Sequence, residues 1–404
     1  MNSRQHPGFI FFALFNLALV AMLGVLMRYK IGFDFPFLNQ KYLLHAHSHF
    51  AFYGWVSHIL YTLLYYFLLN QNQKPKYFST LIVANLVCAY GMLISFSVQG
   101  YGAVSITFST LSIFISYFFT GFYIRALRQI PFSHPSKEWF TASLFFNVIS
   151  SLGTFYLAFM MVTKNVQQDA YLGSVYFFLH FQYNGWFLFA ILGLLFYKLH
   201  ETGGFTYDRR IFLTFFIACI PAYFLSVLWV DLPWYLYLLP VIAVVLQVFG
   251  LVLLLQKLKN YYQEIVTHTS DYVRWITGLA LMALVIKTGL QTASIFPEIS
   301  KLAFGFRSVV IAYLHLVLLA FTTLFLLGYL LWNGFISHHK SALLALFMFV
   351  FGVFANEFVL MVQGVASFGY VLIPFLNEIL LGVSLLMFIS LIILLCSYQK
   401  ARIL

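Results

Sequence analysis

Apolar residues run along this chain in long unbroken stretches separated by short polar punctuation, and the rhythm continues from one end to the other. About 20 apolar residues in a helix are enough to cross the hydrocarbon core of a bilayer. About twelve such segments are predicted: Gly8 to Met27, Tyr42 to Leu69, Phe78 to Val98, Ala103 to Tyr123, Phe140 to Val162, Leu172 to Tyr197, Ile211 to Val230, Leu232 to Leu255, Tyr272 to Thr292, Leu302 to Trp332, Leu343 to Gly364 and Val371 to Ser397. A transmembrane barrel shows shorter strands of alternating polarity, which these continuous runs of Leu, Phe and Ile do not resemble.

Composition agrees with the pattern. The 404 residues are 62% hydrophobic and only 8% charged, whereas a soluble domain carries about 25% charged residues. The expectation is an all-α polytopic membrane helix bundle of about twelve transmembrane helices, one integral domain over residues 1–404, with the lipid bilayer as its main partner. The longest loops, near Arg125 to Glu138, Lys198 to Arg210 and Lys257 to Asp271, are too short for a soluble domain. No low-complexity segment or repeat stands out.

Charge orients the bundle. With the amino terminus inside, one side holds Arg4, Lys74, Lys76, Arg125, Arg128, Lys137, Lys198, Arg209, Arg210, Lys257, Lys259, Arg274, Lys340, Lys400 and Arg402, and the other holds Arg28, Lys30, Lys41, Lys164 and Lys301. That ratio of about three to one satisfies the positive-inside rule and puts both termini in the cytoplasm of a bacterial inner (plasma) membrane. The net charge of +11 reads as topology and requires no nucleic acid. The first apolar run is longer than a signal-peptide core and lacks a cleavage site, so it reads as a retained span. Cys88, Cys219 and Cys396 are scattered, with no CxxC or CxxCH, which argues against disulfides, zinc and c-type heme.

Ionisable groups inside spans carry functional meaning by default. The second span contains His45, His47, His49 and His58, the sixth His180 and the tenth His315. The tail and loop histidines His6, His134, His200, His268, His338 and His339 read as solvated. At 100° per residue, His45 and His49 share one face and His47 points roughly 200° from His45, while His58 returns to within about 20° of the His47 face, roughly 16 Å deeper. Four histidines on two faces cannot hold a single metal. His47, His180 and His315 lie about 5, 8 and 13 residues below the outer ends of three spans that run in the same direction, the arrangement a cofactor site in a bundle needs.

These residues carry a resemblance. Twelve spans with histidines in the second, sixth and tenth resemble the large subunit (subunit I) of heme-copper oxidases, nearest to the branch with nitric oxide reductase and C-family cytochrome c oxidase. The stretch His47 through His49, Phe52, Gly54 and Trp55 to Tyr65-Tyr66 is similar to the segment carrying a low-spin heme ligand, with His47 at the ligand position. Val309-Val310-Ile311-Ala312-Tyr313-Leu314-His315-Leu316-Val317-Leu318 resembles the segment with two histidines one residue apart, and His315 takes the place of the other low-spin ligand. His180-Phe181-Gln182-Tyr183-Asn184-Gly185-Trp186 resembles the nitric oxide reductase segment that starts with a copper or iron ligand, with Asn184 where that family has a functional glutamate. The departures are as informative. Thr214 to Cys219 lacks the family's histidine pair, and Tyr313 stands where the first histidine of the span-ten pair would be. The resemblance therefore implies a retained low-spin heme site and a degenerate binuclear, oxygen-reducing centre. The NnrS family of heme and copper membrane proteins, also twelve-span, is a second comparison.

What this implies is a heme b held by His47 and His315, two neutral imidazoles that bring no net charge into the bilayer. Phe50, Phe52, Trp55 and Tyr313 would wall it, and Arg307 would pair with a propionate. His45, His49 and His180 remain as ligands for copper, which suits imidazole. Lys287, Glu357 and Glu378 are the charges deep in the spans, readable as a proton or ion path with Gln291, Asn356, Gln363 and Asn377, or as a structural Lys287–Glu357 pair. The expected activity is respiratory or redox, an oxidoreductase or electron-transfer role with cytochrome c or quinol as donor and partner membrane subunits. The competing readings are a proton-coupled transporter and a nonenzymatic protein that handles copper or heme or responds to nitric oxide.

Overall fold

A computed structural model describes residues 7–131 and 133–403; Arg4 and His6 lie outside the described residues. No strand occurs among them. Eleven helices are long and apolar enough to cross a membrane: α1 (Gly8–Gly32), α2 (Gln40–Asn70), α3 (Phe78–Gln99), α4 (Ala103–Leu127), α5 (Ser136–Thr163), α6 (Gln168–Glu201), α8 (Trp234–Asn260), α9 (Asp271–Ala293), α10 (Arg307–Trp332), α11 (Lys340–Phe368) and α12 (Leu376–Tyr398). The bent pair Arg209–Cys219 and Pro221–Val227, here α7, passes the same test together, for up to twelve spans. The chain is a multi-pass all-α membrane protein.

Local chemistry sets the ends. Asn39 caps α2 by accepting from the amides of Lys41 and Tyr42, and Ser270 caps α9 by accepting from Val273. Pro221 lacks an amide hydrogen and breaks α7 by 46°, with the second half wound as a 3-10 segment. Two starts fall later than the hydropathy predicts. The tenth span begins at Arg307 because Phe306 is extended (φ −118°, ψ 114°) and ends a separate short helix, Pro297–Gly305. The twelfth begins at Leu376 because Pro374 and the left-handed Tyr370 and Phe375 interrupt the run.

The chain divides into two compact units, residues 1–126 with 326–404, and residues 127–325. In the first, α12 packs on α1 and α11, and α2 packs on α1 and α3; in the second, α5 packs on α6, α7 on α8, and α9 on the middle of α10. Burial singles out two helices. Of the apolar window of α2, 94% is buried inside the protein, and of α6, 83%, against 33–50% for the other single-helix spans. The outer faces of the other spans carry exposed Phe, Leu, Ile and Val, the surface that lipid solvates.

One backbone device recurs. In α2, α6 and α10, each four spans from the last, the α-helix widens into a π-helical turn over Ala51–Ser57, Phe181–Phe187 and Leu316–Thr323. Histidines sit just before each turn: His49 two residues ahead in α2, His180 and His315 immediately ahead in α6 and α10. Aligning the first two turns exposes a repeat that hydropathy alone conceals. His49-Phe50-Ala51-Phe52-Tyr53-Gly54-Trp55 matches His180-Phe181-Gln182-Tyr183-Asn184-Gly185-Trp186, and the same interval separates Phe15-Asn16 in α1 from Phe146-Asn147 in α5.

A widened turn disturbs the backbone ladder, and in a membrane no water compensates, so neighbouring groups must. Asn85 of α3 donates to the Tyr53 carbonyl (3.1 Å) and Asn16 of α1 to that of Gly54 (2.6 Å). At the matching place in α6, the Cys219 thiol of α7 donates to the Asn184 carbonyl at 3.7 Å. In α10, Thr322 and Thr323 bond the carbonyls five residues back, each at 2.9 Å. Close approach of α5 and α6 depends on Gly153, where a Cβ would stand 2.6 Å from the Ser174 carbonyl oxygen and 3.0 Å from the Phe178 nitrogen.

Candidate functional site

The histidines of α2 divide between two faces, as their helical phase requires. The half-buried His47 turns to α1, where its Nδ1 lies 3.1 Å from the Val20 carbonyl oxygen. Gly24, one turn along α1, leaves room for the ring: a Cβ there would lie 3.8 Å from His47 Cε1. His58, fully buried, reaches the same helix through an Nε2 contact of 2.9 Å with the Phe9 carbonyl. His45 and His49 face the other way. The His49 ring stacks on Phe96 of α3 (centroids 4.3 Å apart) and its Nε2 lies 2.9 Å from the Tyr101 hydroxyl. His45 meets Tyr101 edge to face at 4.6 Å, with its Nε2 buried and unpartnered.

The second unit holds His180, His315, Arg307 and Tyr313. The half-buried His315 has Nδ1 2.8 Å from the carbonyl of Ile311, one turn back on α10. Tyr313 meets Tyr183 of the α6 π turn edge to face at 6.2 Å. Arg307 is the first residue of α10 and is exposed. His180 is fully buried and committed at both nitrogens: Nε2–H donates to the Cys219 carbonyl (2.8 Å), and Nδ1 accepts from Asn184 Nδ2 (3.1 Å).

These bonds fix tautomers. A carbonyl can only accept, so each Nδ1 facing one carries the hydrogen, and in the neutral ring the lone pair then sits on Nε2. His47 and His315 both have this form. A ring N–H anchored on a backbone carbonyl is the outer-shell support that iron-bound histidine requires, and each of these two residues, within its own unit, has the tautomer that role needs. His180 does not, because its acceptor nitrogen is already taken. Among the described residues, no three His, Cys, Asp or Glu side chains come together as a metal-ion set.

The other buried charges predicted from the sequence fall in both units. Glu357 lies in the middle of α11 in the first unit, with Asn356 Nδ2 3.3 Å from its Oε1, whereas Lys287 is buried in α9 of the second. Ion pairs among the described residues, Lys198–Glu201, Arg209–Glu138, Arg210–Asp208 and Arg274–Asp271, gather at one end of the second unit. The Arg210 guanidinium there holds the Asp208 carboxyl below its usual range. Burial, with His200 close by (ring centroids 5.2 Å apart), holds the loop residue His134 down to about 4. That histidine is not simply solvated.

Sequence reasoning passed over Asn16, Asn85 and Cys219, which support the π turns. Their signal was present in part: an Asn inside a lipid-spanning run needs a partner. Comparison with known protein families and with curated proteins finds no match to this chain.

Proposed function

We propose that this chain is a heme b-binding redox protein of the membrane, in which His47 and His315 would hold the heme iron. One observation carries the reading: each ring presents Nδ1 to a backbone carbonyl, Val20 and Ile311 respectively, which fixes the hydrogen on Nδ1 and the ring's lone pair on Nε2, the tautomer of a heme-iron ligand. Bound heme supplies one-electron redox chemistry. The protein's part is to hold both imidazoles neutral and oriented, to wall the ring with aromatic side chains including Tyr313, and to meet a propionate with Arg307. The electron donor under this reading is cytochrome c or quinol, partner membrane subunits complete the path, and the basic loops mark the cytoplasmic side of a bacterial plasma membrane. Copper is left out of this reading because His180, one of its three candidate ligands, has both ring nitrogens bonded.

The test is the visible and pyridine hemochrome spectrum of protein purified from heme-replete cells. A b-type spectrum is expected, lost in His47→Ala and in His315→Ala while each variant still elutes as a folded monodisperse species, and retained in His45→Ala and His49→Ala. A purified protein with no b-type spectrum refutes heme binding and favours transport. A low-spin signal that survives in both ligand variants refutes the assignment.

A further inference from the structure

At one end of the first unit the chain gathers cations and supplies no counter-charge. Lys74 and Lys76 lie on the loop between α2 and α3, Arg125 lies in the last turn of α4, and all three are exposed. Two contacts bring these segments together. Gln73 Nε2 donates to the Ala126 carbonyl at 3.1 Å, and the Tyr77 ring packs against Phe122 with centroids 5.6 Å apart. The loop is a shaped turn rather than a tether. Asn72 and Tyr77 hold the left-handed region (φ 55° and 71°), and the Gln73 amide donates to the Leu68 carbonyl at 3.2 Å.

No Asp or Glu occurs between Asp34 and Glu138, and none of the three cations forms an ion pair among the described residues. In the second unit, by contrast, Lys198, Arg209, Arg210 and Arg274 each have a carboxylate partner. An aromatic stripe starts beside the cations. Phe122 and Phe118 precede Arg125 on the same face of α4 and are 37% and 61% exposed, and Tyr77 beside Phe122 is 63% exposed. From Arg125 to Phe118 the stripe runs about 10 Å into an apolar span. A soluble acidic partner could meet the cations but not a stripe within the bilayer. An anionic phospholipid meets both, its phosphate at the cations and an acyl chain along the rings.

We propose that Lys74, Lys76 and Arg125, with the stripe of Tyr77, Phe122 and Phe118, form a binding site for one anionic phospholipid. Charge sets the selectivity. A zwitterionic headgroup brings its own cation and gains less from three protein cations, whereas each Lys or Arg near an anionic lipid surface is worth about fivefold in affinity. The site lies wholly within the first unit and is independent of heme.

Native mass spectrometry of the full-length protein tests this, with dioleoyl phosphatidylglycerol and dioleoyl phosphatidylcholine as probes. The first phosphatidylglycerol is expected to bind at least about tenfold more tightly than phosphatidylcholine. Lys74→Gln/Lys76→Gln/Arg125→Gln should abolish that preference, and Lys76→Gln alone, which serves if the triple variant does not purify, should reduce it about fivefold. Lys198→Gln/Arg209→Gln/Arg210→Gln removes the same charge from the second unit and should leave the preference intact. Tyr77→Ala should weaken both lipids alike, and glycerophosphoglycerol, the headgroup without chains, should not compete. Equal affinity of the wild type for the two lipids overturns the proposal, as does a preference that the first-unit variants leave unchanged. An equal loss in the second-unit variant overturns it too, by showing diffuse attraction. Full competition by glycerophosphoglycerol marks a soluble anion as the occupant and overturns the lipid assignment.

Discussion

Gly153→Ala is a direct test of how α6 is held. The added Cβ would stand 2.6 Å from the Ser174 carbonyl oxygen, 3.0 Å from the Phe178 nitrogen and 3.3 Å from Phe177 Cβ. Carbon–oxygen contacts relax at about 3.3–3.6 Å, so α5 and α6 must part locally by roughly 0.7–1 Å. The first two obstacles are backbone and cannot rotate away. Overpacking costs about 1–3 kcal/mol, and rigid partners place this case in the upper half. Replacing a helical glycine by alanine returns about 0.5–1 kcal/mol, for a net loss of about 1–2 kcal/mol. Gly278 of α9 provides the control: it is exposed, with nothing within 4 Å of an added Cβ, so Gly278→Ala is expected to be neutral or slightly stabilising. The assay is thermal unfolding of the two variants in one detergent, followed by size-exclusion fluorescence. Gly153→Ala should melt several degrees below wild type and Gly278→Ala at or above it. Equal melting of the two variants refutes the close approach.

Other outcomes follow from the same contacts. Asn16→Leu removes the donor to the Gly54 carbonyl and the acceptor of the Tyr90 hydroxyl (2.5 Å), and should lower stability by about 1–2 kcal/mol, read as a lower denaturation midpoint. Asn85→Leu loses one bond and should cost about half as much. His134, held down to about 4 in the folded protein against about 6.5 unfolded, takes up its proton first in the unfolded chain as pH falls. Stability is therefore full above about pH 6.5 and declines between about 6.5 and 4, by on the order of 1 kcal/mol once its partial exposure is discounted. His134→Gln should flatten that part of the stability profile, and an unchanged slope would count against the burial of this ring.

Much of the molecule could be read from its residues because lipid imposes a simple rule. Apolar runs long enough to cross became helices, and those of the third and fourth spans start at Phe78 and Ala103 as expected. The separation of His47 from His45 and His49 followed from helical phase alone, since 100° per residue does not depend on neighbours. What escaped depends on partners. Hydropathy cannot see that Pro221 bends α7, that Phe306 separates two helices, or that Cys219 serves both a histidine and a widened turn. The repeat escaped for another reason: its signature lies in a few small and polar positions, diluted among aromatic residues that lipid accepts almost anywhere.

The π turns in α2, α6 and α10 carry a consequence for ancestry and engineering alike. A widened turn is what a helix of fixed ends shows when it has gained a residue, and the matching motifs of α2 and α6 place that gain at equivalent sites. Removing one residue from Ala51–Ser57 should therefore restore a regular helix rather than destroy it. The two halves of the span would then turn by about 100° relative to each other, carrying His47 away from its partner on α1 or His58 away from its own. The surplus residue is a dial that sets which way each histidine looks, and a descendant of this fold could redirect its chemistry by a single codon deletion without redesigning its core.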